Sequence, residues 1–224
     1  YCQQGKVVCR LKGGDPLIFG RGGEEAEQLF QAGIPFEIVP GISSAIAAPA
    51  YAGIPVTHRA YASSVSIITG HEDPEKLDSA LNWQAIAGMP GTLVFLMGVK
   101  HLWAITQKLM DHGKCPTTPV ALVRWGTRLQ QKTLVSTLAH AAQQAIDQGF
   151  TAPCVIVVGS VVHCRPQLNW FERLPLMGQR IVVTRAQQQA SQLSQQLQAL
   201  GAQVIEFPTI CVSPSPNAQA LQEA

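Results

Sequence analysis

The chain has 224 residues, 46% hydrophobic and 13% charged, with 16 Lys and Arg against 14 Asp and Glu for a formal net charge of +2. That is enough for one or two domains that each bury a core, and it excludes collagen, coiled coil and extensive disorder. A charge near zero without a run of five Lys or Arg excludes a nucleic-acid surface, while apolar runs far short of ~18 residues and no signal-peptide pattern argue against a membrane and for a cytoplasmic protein.

In chain order, short apolar runs predict strands at residues 7–11, 36–39, 65–69, 92–97, 120–123, 133–137, 154–158, 181–184 and 204–207. Helical patterns lie between them at 24–32, 43–52, 77–87, 99–112 and 139–148, and Gly33, Gly53, Gly113 and Gly149 supply left-handed caps. The alternation predicts an α/β fold with mostly parallel sheets. A break is expected near residues 58–64. A second comes at the linker-like segment 174–178, after which glutamine replaces glycine and charge and a fresh strand-helix-strand begins. The chain opens on Tyr1 rather than Met and stops within a helical pattern at 218–224, so it reads as a piece of something longer.

Six cysteines form no CxxC pair and six histidines are scattered, which predicts reduced core thiols and no metal site. The strongest local feature is Lys12-Gly13-Gly14-Asp15-Pro16, followed by Phe19-Gly20-Arg21-Gly22-Gly23-Glu24-Glu25. A strand running into two glycines and an Asp-Pro turn exposes main-chain groups at the carboxyl end of a sheet, where ligands bind in α/β proteins. Neither GK[ST] nor GxGxxG is present, so a phosphate cradle and a dinucleotide-binding oxidoreductase are disfavoured. Val39-Pro40-Gly41-Ile42-Ser43-Ser44 repeats the plan, with hydroxyls at a helix start that serve equally as N-caps. Each feature alone suits an ordinary tight turn; two such loops are expected side by side at one sheet edge.

The combination KGGDPLIFGRGGEE (12–25), VPGISSA (39–45), GIPVTHR (53–59), SVSIITGH (64–71), TLVFLMG (92–98), PVALVRWGT (119–127) and VIVVGSVV (155–162) resembles the tetrapyrrole methylases, over about residues 1–171. The resemblance implies a two-domain fold, its first domain represented here by 1–62 and its second by 63–173, usually as a homodimer. It implies methyl transfer from S-adenosylmethionine to ring carbons C2 and C7 of uroporphyrinogen III, giving precorrin-2. The family's cofactor contacts fall on Gly13, Gly14, Asp15, Ile18, Ser43, Ser44, Met97 and Gly126. By itself Met97 reads equally well as a core gap-filler. For a tetrapyrrole with eight carboxylates, Arg21, His58, Arg59 and Arg124 are candidate clamps, or else solvated surface charges. The family's Gly-Pro-Gly-Asp segment and following lysine, which carry its proposed acid-base residues, do not occur in this sequence, so no catalytic residue is assigned and this stretch by itself is expected to be inactive. Residues 179–210 resemble the first strand-helix-strand of uroporphyrinogen-III synthase, making 179–224 the start of a synthase-like domain after the linker 174–178. The rivals are another precorrin ring-carbon methyltransferase and a chain that binds the cofactor without catalysis.

Overall fold

The computed structural model describes residues 1–70 and 81–210. They divide into two compact units, Tyr1–Asn169 and Trp170–Ala224. In the first unit, the Val- and Ile-rich runs expected as strands become β1 (Val65–Thr69), β2 (Thr92–Leu96), β3 (Pro119–Arg124), β4 (Lys132–Thr137) and β5 (Cys154–Val158), in the order β1-β2-β5-β3-β4. The inner strands β2 and β5 are buried along their whole length. Their continuous apolar sequence follows from that, because both faces of the sheet are covered.

Side-chain alternation assigns each strand residue to a face. Leu93, Phe95, Val120, Leu122, Ile156 and Val158 pack with Ile86 of α3 (Trp83–Gly88), Leu102, Ile105 and Leu109 of α4 (Leu102–Asp111), and Ala141, Ala142 and Ala145 of α5 (Ala141–Asp147). Val94, Leu96, Ala121, Val123, Val155 and Val157 pack instead with Ala45, Ala48 and Ala52 at α2 (Ser44–Tyr51). Alanines along α2 let it lie close to the sheet. Ser43 caps it, its Oγ accepting from the Ala45 amide at 3.2 Å. At the other end Arg165 Nη1 donates to the Ala52 carbonyl, and Gly53 lies so close to residues 168–169 that an added Cβ would come within 2.5 Å of the Asn169 nitrogen.

The expectation of mostly parallel sheets is corrected. Only β1 and β2 run parallel in this sheet, while β2–β5, β5–β3 and β3–β4 are antiparallel. The short connection 125–131 makes β3 and β4 a hairpin, which cannot be parallel. Residues 7–11 and 36–39 are corrected as well, since neither is a strand. Strand propensity expresses fit to a half-buried pleated surface. Here Val7, Leu11 and Val39 are exposed, and no ladder includes these segments among the described residues.

The helix expected at 24–32 is α1 (Gly22–Gln31), and that at 99–112 is α4 preceded by a 3-10 turn, Val99–His101. The start of the one expected at 77–87 lies outside the described residues, as does the pattern at 218–224. Ala45, Ala48, Ala52, Ile54 and Ala62 share a core with β2, β3 and β5. Residues 165–168 form α6 (Arg165–Leu168). In the second unit, β6 (Arg180–Val183) and β7 (Gln203–Glu206) pair in parallel beside α7 (Gln187–Ala199). The segment read as a linker belongs to this unit: the Leu176 amide donates to Leu200, and a Cβ on Gly201 would press on Leu174.

Candidate functional site

The glycine-rich loop at 12–25 is built on its own main chain. Pro16 presents its carbonyl inward, where it accepts from the Gly22 amide at 2.9 Å. A Cβ on Gly20 or Gly22 would stand 2.5 or 2.6 Å from that oxygen, so both positions require glycine for close approach. Asp15 ties this loop to the next. Its Oδ1 accepts from the Leu17 amide at 2.9 Å and its Oδ2 from the Gly41 amide at 3.1 Å. These bonds, first Leu17 and then Gly41, hold its pKa below the ordinary 3.8.

Gly41 in turn lies against Gly14, where an added Cβ would be 2.3 Å from the Gly14 oxygen. Gly14 adopts φ +94°, and a Cβ there would sit 3.4 Å from the Ile42 carbonyl. The two loops expected side by side therefore do touch, through main chain, although no sheet edge carries them. Gly13 borders open space, since an added Cβ would meet nothing within 4 Å. Ile18 and Ser44 are exposed, whereas Ser43 is buried in its capping role.

Met97 and Gly126 follow the carboxyl ends of β2 and β3. Because β5 is antiparallel to both, those two strands point the same way. Continuing the registers Phe95↔Ile156↔Leu122 sets Met97 level with Arg124, two strand spacings or about 10 Å away. Gly126 rests on α2, where a Cβ would be 2.4 Å from that of Ala48. Helix α2 thus begins at the two glycine loops and meets the 125–127 loop one turn later. The non-glycine residues with left-handed backbone among the described residues are Phe19, Arg21, Met97, Trp125 and Thr127. All five lie in these same loops, and such strain concentrates at ligand sites.

The candidate clamps are dispersed. Arg21 precedes α1 with its side chain exposed, its Nε 3.6 Å from Glu24. His58 and Arg59 sit in a turn closed by the His58–Ala62 bridge, where His58 Nδ1 accepts from the Ala60 amide and its ring lies 5.0 Å from that of Tyr61. Arg124 shares the face of Val120 and Leu122, away from α2, and its Nη1 donates to the Gly149 carbonyl after α5 at 3.1 Å. The structure does not bring Arg124 to the loops that α2 joins. Arg124 also faces Cys154, whose thiol is pushed up to about 12 by burial, against the opposing pull of that guanidinium. No group of three or more His, Cys, Asp or Glu among the described residues is placed to hold a metal.

Sequence reasoning missed the supports. Lys12, with its side chain only 15% exposed, donates from Nζ to the Gly20 carbonyl and to Glu25 Oε1, both at 2.7 Å. Arg10 adds a 3.4 Å ion pair to the same carboxylate. The Lys12 hydrogen bond is the main cause that holds the Glu25 pKa below its ordinary 4.5. A lowered folded-state pKa stabilises above the unfolded value, and the contribution disappears as pH falls through the folded value. The urea midpoints of wild type and Glu25→Gln should differ by a constant amount above pH ~6 and converge below the ordinary carboxylate range. Convergence on raising the pH instead would reverse the sign assigned to this pair. Gln131, buried, accepts from the Thr127 amide at 2.8 Å and closes the 125–131 turn. No sequence signal marks that glutamine, whereas Pro40-Gly41 did mark a turn.

The family model for Tetrapyrrole (Corrin/Porphyrin) Methylases matches residues 1–142. The chain is 58% identical over 161 residues to an S-adenosyl-L-methionine-dependent uroporphyrinogen III methyltransferase of Methanosarcina barkeri, covering 72% of this chain and 63% of that protein. It is 42% identical over 221 residues to the porphyrin biosynthesis protein HemD of Ruminiclostridium josui, covering 99% and 44%. The chain therefore spans less than two thirds of the length of either relative. Among solved structures, uroporphyrin-III C-methyl transferase from Thermus thermophilus complexed with S-adenyl homocysteine superposes with a TM-score of 0.61 at 33% identity, over 70% of this chain and 67% of that one.

Proposed function

Because the chain belongs to the tetrapyrrole (corrin/porphyrin) methylases, we propose that it serves S-adenosylmethionine-dependent methylation of uroporphyrinogen III at C2 and C7, yielding precorrin-2. The observation that carries this reading is the main-chain contact of Gly41 with Gly14, bridged by Asp15. It creates a rigid border of glycine backbone with open space beside Gly13. Such a border fits S-adenosylmethionine, whose amino acid end, ribose and adenine call for main-chain groups and hydroxyls rather than a phosphate loop. When bound, the cofactor supplies an electrophilic methyl group.

The chain's own residues hold and orient. Gly13, Gly14, Asp15 and Ile18 form one wall, and Ser43 and Ser44 begin α2 beside it. Met97 and Gly126 stand at the carboxyl edge of β2 and β3. Holding two reactants in line is a large part of what such a site contributes. Arg21, His58 and Arg59 are the proposed partners for substrate carboxylates. Arg124, bonded to Gly149 on the other face of the sheet, acts more naturally as a support for the β3 end.

Asp15→Asn tests the cofactor wall. An amide offers one acceptor where the carboxylate offers two, so either the Leu17 or the Gly41 amide would face an NH2 group. S-adenosylhomocysteine affinity, measured by calorimetry, should fall about 10- to 100-fold. An unchanged affinity would remove Asp15 from the site. Methylated product formed from uroporphyrinogen III, and not from later precorrins, by the longer protein of which this stretch is read as a piece tests the substrate assignment.

The proposal includes the division into methylase segments 1–62 and 63–173 and a synthase-like start at 179–224. The latter is supported by the match to the Ruminiclostridium protein, which runs through nearly the whole chain. It also includes a homodimer, which sedimentation velocity tests, and a cytoplasmic setting. Among the described residues Cys2, Cys9, Cys115, Cys154 and Cys164 are free. No helix among the described residues is long and apolar enough to cross a membrane.

A further inference from the structure

The glycine loop has its cation on the inside. Lys12 immediately precedes Gly13, yet its ammonium group reaches past the loop to residues 20 and 25, where it meets one carbonyl and one carboxylate oxygen at 2.7 Å. We propose that Lys12 is a positioning residue for the cofactor loop: bonded at once to Gly20 and Glu25, it draws the two ends of residues 13–20 together and holds them in the shape that receives S-adenosylmethionine. The inference rests on the cofactor reading above and concerns a residue that touches the loop rather than the ligand.

A withdrawn ammonium needs its donors satisfied, so residues 20 and 25 are drawn toward it. Closure at Lys12 coincides with closure at Pro16, whose carbonyl receives the Gly22 amide, and with the Asp15 bridge to Gly41. The segment between carries two left-handed non-glycine residues, Phe19 and Arg21. Backbone of that kind persists only where its surroundings over-determine it, and the pull of Lys12 on Gly20, which lies between them, is the nearest such constraint. Glu25 is in the first turns of α1, so the same ion pair fixes where that helix starts relative to the glycines.

The position calls for a long flexible stem that ends in a positive charge. Arginine can make both bonds only by reorienting its planar fork, while methionine keeps the stem and removes the charge. For Lys12→Met, the S-adenosylhomocysteine dissociation constant should rise about tenfold, and Lys12→Arg should recover most of that loss. Hydrogen exchange on the ligand-free protein supplies a second readout: the Leu17 and Gly22 amides should exchange faster in Lys12→Met, with protection across β2 and β5 unchanged.

Wild-type affinity in Lys12→Met, with slow exchange retained at Leu17 and Gly22, overturns the proposal while leaving the cofactor reading intact. Faster exchange spread evenly over β2 and β5 also overturns it, by showing general destabilisation in place of positioning. If the wild-type protein itself fails to bind S-adenosylhomocysteine, the cofactor reading falls and this inference with it. Should Lys12→Met not fold, Glu25→Gln applies the test from the other partner: weaker S-adenosylhomocysteine binding with faster exchange at the Leu17 and Gly22 amides supports the proposal, and wild-type values of both overturn it.

Discussion

Gly41→Ala should reduce S-adenosylhomocysteine binding by at least about 100-fold, the equivalent of ~2.8 kcal/mol. A methyl group there would lie 2.3 Å from the Gly14 oxygen, 2.8 Å from its carbon and 3.2 Å from the Asp15 nitrogen. All three are main-chain atoms, so no flexible side-chain end can swing aside. Overpacking that yielding side chains absorb costs ~1 to 3 kcal/mol, and here the only relief is to part the loops. Parting them also pulls the Gly41 amide from Asp15. Gly41 does not adopt a left-handed φ, so alanine adds no left-handed strain to the clash. Calorimetry with S-adenosylhomocysteine, checked by an unchanged far-UV spectrum, measures the effect. Affinity within about threefold of wild type, a difference of only ~0.65 kcal/mol, would show that the contact is not needed for the site.

Gly126→Val should be nearly as damaging, by a different route. Its Cβ would stand 2.4 Å from the Cβ and 2.9 Å from the Cα of Ala48, with Val123 Cγ1 at 3.6 Å. Either the 125–127 loop lifts or α2 shifts along the sheet, and both change what α2 presents at Ser43 and Ser44. Stability should fall by ~1 to 3 kcal/mol, visible as a thermal midpoint lowered by roughly 2 to 4 °C per kcal/mol. Binding should weaken as well. Pairing Gly126→Ala with Ala48→Gly separates the causes, because it removes the closer of the two contacts. Affinity in that pair should exceed what the single changes predict, and strict additivity would mean that the loop and helix act independently.

Much of this was legible from residue types. Glycine beside Asp-Pro, and glycine after proline, announce turns whatever surrounds them, and those turns became the two touching loops. The strands β2, β3 and β5 were legible because burial on both faces leaves an unbroken apolar run. Strand direction was not, since the 125–131 turn carries no hairpin dipeptide and its closing bond comes from Gln131, a residue type without turn preference. Residues 7–11 and 36–39 have strand composition, but pairing depends on a neighbour that local sequence does not specify. Lys12 was invisible as a support because a lysine next to glycines reads as a solvated charge. Its acceptors lie eight and thirteen positions on. The left-handed backbone of Met97 and Trp125 was equally hidden, for neither residue favours it.

Helix α2 runs from the loop contact at Ser43 to the close approach at Ala48, and is pinned beyond its end through Ala52 and Gly53. It therefore works as a ruler of fixed length. Ser44 and Ala48 are four residues apart, about 6 Å along the axis, and every added residue would advance the helix ~1.5 Å and turn it ~100°. A single insertion between them would aim a different side chain at Gly126. Inserting a whole turn would restore the facing residue, yet carry it ~5.4 Å out of reach. The length of the stretch from Ser44 to Ala48 is thus set as firmly as the side chains of Gly41 and Gly126.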